Sequence, residues 1–222
     1  MQRNKITVLL WLAVFMVSML LAPTYVVHLF NEMVSHDLEF WGHRYPVLQL
    51  IWVVGGLPIT TLLVIYRASG YFGREPAKWR VLGIFILGSV TELLVKHFVA
   101  TPFPPNVPPP AGYRQLIVWT NVEPSTVFAW LRQLNPSAGV GHHLASHLLR
   151  GSFPSGHVFR ITYAYGLFLS SKWRVVIAGV AAFCVVATGG HWIWDAVGGY
   201  VLASLGLEWT STESKGRVIV NG

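Results

Sequence analysis

The apolar positions of this chain fall into six runs, at about 6–29, 46–66, 81–100, 156–170, 175–188 and 191–207. About 20 mostly apolar residues are needed for a helix to cross a bilayer. The first three runs have that length, and the last three are shorter or interrupted by polar residues. The first run follows Arg3 and Lys5. Its apolar core, residues 6–22, is long for a signal peptide, and no small-x-small cleavage site follows it. It reads as a retained first helix. A long segment, about 101–153, separates the third and fourth runs and is rich in proline at its start, with Pro102, Pro104, Pro105, Pro108, Pro109 and Pro110. The pattern predicts an all-α fold, a bundle of six transmembrane helices forming one domain over residues 1–222, with no internal repeat and no soluble second domain.

Composition agrees. Apolar residues make up 53% of the chain and charged residues 11%, against a usual charged share of about 25%. So few charges cannot cover the surface of a soluble domain, which excludes an ordinary cytosolic enzyme and a disordered chain. The single cysteine, Cys184, excludes a disulfide scaffold. The net charge of +7 reads as topology rather than as a nucleic-acid footprint, because the basic residues lie in short connections between apolar runs. Arg3 and Lys5, then Arg67, Arg74, Lys78 and Arg80 against Glu75, then Lys172 and Arg174, then Lys215 and Arg217 all fall on one side of a six-helix plan. The positive-inside rule makes that side cytoplasmic. The chain is then expected to be a multi-pass protein of a bacterial cytoplasmic membrane. The first outer loop carries Glu32, Asp37 and Glu39 against Arg44, and the proline-rich segment and the starts of the fourth and sixth helices lie outside.

Smaller signals refine this plan. Trp11, Trp41, Trp52, Trp119, Trp130, Trp192 and Trp194 are candidate interface anchors. Val140, Leu144 and Leu148 beside His143 and His147 predict a short amphipathic helix lying on the membrane, and Phe128, Trp130, Leu131 and Leu134 a second. Gly199 with Ala203, and Ala178 with Ala182, are spaced to let the fifth and sixth helices approach closely.

Ionisable groups inside apolar spans are expensive, so each is a site hypothesis. Glu92 and Lys96 close the third helix, His157 and Arg160 open the fourth, and His191 and Asp195 open the sixth. The predicted topology puts all of them at one membrane face. Asp195 lies four residues after His191, hence on the same side of a helix, where a carboxylate can fix the imidazole's tautomer and stabilise its cation. Ser155 and Gly156 precede His157 at a helix N-terminus, whose free N–H groups form an anion site that glycine lets a ligand approach. Lys96 adds a positive charge, and Glu92, one turn before it, reads as its ion-pair partner. An anion cradle, a carboxylate-backed histidine and a second histidine are the minimum for phosphoryl transfer through a phosphohistidine. The His143 and His147 spacing also fits a zinc pair, but the amphipathic stripe accounts for both residues, and no metal or other cofactor is expected.

Phe153-Pro154-Ser155-Gly156-His157 and His191-Trp192-Ile193-Trp194-Asp195 resemble the second and third motifs of the type 2 phosphatidic acid phosphatases, and Lys96 with Pro104 resembles the remains of the first. The match in order and spacing runs from about Lys96 to Gly199, within a motif-bearing part of about 92–207. The resemblance implies His191 as nucleophile, Asp195 as its partner and His157 as general acid. It implies Lys96, Ser155 and Gly156 as phosphate ligands, no metal, and lipid phosphates or prenyl pyrophosphates as substrates at the outer face. The chain departs from the family at Phe103, Thr101, Cys184 and Val185, where arginines or a serine are common. Arg160, on the same helical face as His157, is the expected substitute for the missing charge, ahead of Arg150 and Arg114. The leading expectation is a membrane lipid phosphatase. A phosphotransferase and a non-catalytic lipid-binding relative are the alternatives, and the absence of a repeat speaks against a transporter.

Overall fold

The computed structural model describes residues 2–70, 75–104 and 151–211. Among these the chain is all helical: α1 (Gln2–Leu21), α2 (Tyr25–Arg44), a 3-10 turn (Pro46–Gln49), α3 (Leu50–Val54), α4 (Leu57–Ser69), α5 (Glu75–Val99), α6 (Gly156–Gly166), α7 (Ser171–Ala187) and α8 (Ile193–Ser211). The expected interfacial helices, including His143, His147 and Trp130, lie outside the described residues, as do Arg114 and Arg150.

The helices depart from the apolar runs where backbone chemistry interrupts them. The first run is not one helix. Pro23 has no N–H to continue α1, and Thr24 starts a new helix by accepting from Val27 N at 3.4 Å. The two segments meet at 89°. The stretch expected as an outer loop is therefore helix α2. The second run breaks at Gly55 and Gly56, just before Pro58, and its halves meet at 52°. Lys78 and Arg80, expected in a connection, lie within α5, and Lys172 and Arg174 within α7.

Among the described residues, one helix is long and apolar enough to cross a membrane alone, residues 77–99, and up to three spans result if each bent pair counts as one. Of the other expected spans, α6 has 11 residues and α7 has 17, against the roughly 20 that a bilayer asks for, and α8 has 19.

The core forms where α8 packs on α6 and α1, α7 packs on α6 and α2, and α5 packs on α4, α6 and α8. Phe85, Phe159 and Tyr163 stack through its middle. Gly199 has a different role from the one its spacing predicts. A Cβ there would overlap Ser155 O, so this glycine brings α8 against the start of α6, not against α7. Ser155 N donates to Asp195 O at 2.8 Å, locking the two helix starts together. A short zipper fixes the segment before α6 to the end of α5. Ser152 N donates to Thr101 O at 2.9 Å and Phe153 N to Thr101 Oγ1 at 3.1 Å. Trp192 Nε1 adds a 2.7 Å bond to Pro102 O.

At the far end of α6, Arg67 Nε donates to Leu167 O at 3.3 Å, and Arg174 Nε to Gly166 O at 2.9 Å. Basic side chains of α4 and α7 thus gather at the end of α6 opposite His157.

Candidate active site

Three helix ends converge, and each brings the residues that its sequence singled out. The connection into α8 carries His191, whose Nδ1 lies 3.3 Å from Asp195 Oδ2. The same carboxylate oxygen accepts from Trp192 N at 2.9 Å, so Asp195 is held by the backbone it caps. His191 N in turn donates to Val185 O at 3.3 Å. With Nδ1 turned to the carboxylate, Nε2 is the ring nitrogen left for chemistry.

At the start of α6, Ser155 Oγ caps the helix by accepting from Val158 N at 3.4 Å. His157 follows, with its ring centroid 6.5 Å from that of His191. Both imidazoles are buried, with His157 7% and His191 5% exposed. His157 Nε2 is buried and has no hydrogen-bond partner among the described residues. A polar atom in that condition is costly unless something else pairs with it.

The third contribution is ionic. Glu92 sits on α5 between two cations. Its Oε1 accepts from Lys96 Nζ at 2.8 Å and its Oε2 from Arg160 Nη1 at 3.1 Å. The Glu92–Lys96 pair expected from the i,i+4 spacing is therefore present. Arg160 is further tied by Nε to Gly55 O at 3.2 Å, a carbonyl released by the break after α3. Gly156 has a role that its motif does not reveal: a Cβ there would overlap the Glu92 carboxylate. The open flank of the glycine thus houses the protein's own anion.

Aromatic side chains close the site. Trp52, expected as an interface anchor, instead meets the His157 ring edge-on at 4.4 Å between centroids and lies 6.4 Å from that of His191. A Cβ on Gly190 would overlap the Trp52 indole. Phe103 lies 6.2 Å from the His191 ring. Val185 is buried with Ile51, Val158 and Ile161. Trp192 and Trp194 also pack rather than anchor, their Nε1 groups donating to Pro102 O and Ser18 O. Trp52 was missed because an isolated tryptophan in an apolar run carries no signal separating an anchor from a site wall.

Beside Asp195 a cavity of about 330 Å³ opens between α2 and the end of α5, bounded by Tyr25, His28, Asn31, Thr101 and Trp192. Its lining reaches Asp195 but neither catalytic candidate histidine. Among the described residues, no three His, Cys, Asp or Glu side chains converge as a metal set. No protein-family model, curated protein or solved structure matches the chain.

Proposed function

We propose that the chain is an integral membrane enzyme related to the type 2 phosphatidic acid phosphatases, one that takes the phosphorus group of a lipid phosphate onto His191. The observation that carries this reading is the pair of buried imidazoles, one backed by Asp195 at 3.3 Å and the other holding an unpartnered Nε2. His191 Nε2 attacks phosphorus, and Asp195 steadies the imidazolium that results. His157 gives its proton to the leaving oxygen, then takes one from the incoming water. Lys96 and Arg160, joined through Glu92, stabilise the phosphoryl oxygens. In a six-helix arrangement with the basic ends of α4 and α7 in the cytoplasm, this site faces outward. The substrate's tails then stay in lipid while its head group enters between helix ends.

A lipid-binding relative without turnover is the second reading, and Glu92 favours it, because both cations already have an anion partner. Turnover separates the two. Purified protein in detergent micelles should convert radiolabelled lipid phosphates, and EDTA should not stop it. His191→Ala should abolish conversion, and His157→Ala should lower it by about 100- to 10,000-fold. Lipid binding by the wild type without conversion supports the second reading instead.

A further inference from the structure

Among the described residues, the fixed charges around the two imidazoles cancel. Lys96 and Arg160 contribute two positive charges, and Glu92 and Asp195 two negative ones. All four side chains are largely withdrawn from solvent, Arg160 being the most exposed at 12%. With both histidines neutral the formal sum is zero, and the proton that His157 carries as an acid raises it to one. A phosphate monoester brings about 1.5 to 2 negative charges at neutral pH, whereas a diester brings one. A dianion here leaves an uncompensated charge in a closed site, and a diester does not.

The walls point the same way. Trp52 and Phe103 lie 6.4 and 6.2 Å from the His191 ring, so the surfaces beside the nucleophile are apolar. They offer an organic ester group a contact and a second phosphate charge no donor. The Glu92 carboxylate already fills the flank of Gly156, where a further anionic oxygen meets repulsion. The unpartnered, buried His157 Nε2 supplies the proton for an alkoxide leaving group.

We infer that the site takes a monoanionic phosphodiester lipid in preference to a phosphate monoester or a pyrophosphate; this rests on the phosphohistidine reading above. The steps balance. His191 Nε2 bonds to phosphorus as the P–O bond to one alcohol breaks, and that oxygen receives the His157 proton. An incoming alcohol or water then bonds to phosphorus through oxygen, gives its proton to His157, and the P–N bond breaks.

The test uses the full chain in micelles of a phosphorus-free detergent, supplied with phosphatidylglycerol or with phosphatidate, each labelled at phosphorus. The wild type should turn over the diester with a kcat/KM at least about tenfold above that for the monoester. Glu92→Gln removes one negative charge at nearly constant shape and should shift the ratio toward the monoester by at least about tenfold. Faster turnover of phosphatidate by the wild type overturns the inference while leaving the phosphohistidine reading in place. A diester preference that Glu92→Gln does not shift overturns the charge argument. Should Glu92→Gln fail to fold, the wild-type ratio decides alone. Turnover and labelling from neither lipid remove this inference together with the reading beneath it.

Discussion

Glu92 holds two cations in a buried place, and that makes its charge a condition of the fold. Glu92→Ala strands Lys96 and Arg160 without a counter-ion. Breaking a buried pair by removing one partner costs about 3–5 kcal/mol, so thermal unfolding in detergent should show a loss of that order. An unchanged midpoint would mean that water reaches both cations. Arg160 has the complementary role. Arg160→Ala should lower turnover by about 30- to 1000-fold, equivalent to about 2–4 kcal/mol of transition-state stabilisation. Arg160→Lys should restore only part of it, since one ammonium cannot copy the planar fork that spans Glu92 and Gly55 O. Near-normal turnover by Arg160→Ala would remove it from the machinery. At this scale the sequence was readable where partners share one helix end. The Glu92–Lys96 contact follows from four-residue spacing within α5, whereas the His191–Asp195 contact, expected on one helix, forms across the start of α8 because His191 lies two residues before Ile193. The Arg160–Glu92 bond joins residues 68 apart, and no local rule predicts it. Thus Arg160 was picked out for its charge near a site, while its structural anchors were not.

The elements owe their meeting to glycines whose spacing does not reveal which helix they admit. Gly199 lets α8 lie on the start of α6, and through that contact Ser155 N reaches Asp195 O. Gly199→Val should therefore separate the two histidine-bearing segments. A loss of about 1–3 kcal/mol in stability is expected from the overpacking, together with a clear drop in turnover. Gly179→Val is the control, since a Cβ there meets nothing within 4 Å. Equal behaviour of the two variants would contradict the role given to Gly199. The helix start at Ser155–Gly156 was legible, with His157 following it, but Ser155, expected there as a phosphate ligand, caps the helix through Val158 N. The bends were not legible, although Pro23 and the Gly55–Gly56 pair signal them. Run length dominated the reading, and a membrane run tolerates proline and glycine when neighbours satisfy the freed backbone. Arg160 taking Gly55 O is such a case.

For the molecule as a whole, the two ends of α6 differ in chemistry. One end gathers the imidazoles and Asp195; the other gathers Arg67 and Arg174. Under the proposed topology, the positive-inside rule expects the imidazoles to face outward. In a Cys184→Ala background, a cysteine at Tyr25, which is 72% exposed beside the cavity, should react with an impermeant reagent in intact cells. A cysteine at Lys172, exposed at the start of α7, should react only after lysis. The reverse pattern would turn the site inward and move the substrate to the other leaflet. The all-helical class was legible from the apolar runs alone. The number of spans was not, because α6 and α7 trade length for packing against each other and against α8.

The central claim is that phosphorus passes through His191, and a trapped adduct tests it most directly. Protein mixed briefly with lipids labelled at phosphorus, monoester and diester together, and quenched in base should retain label that acid releases. His191→Ala should carry none, and His157→Ala should load slowly because protonation of the leaving oxygen is lost. Label that persists in His191→Ala, or wild-type turnover with no label under any quench, would contradict the account.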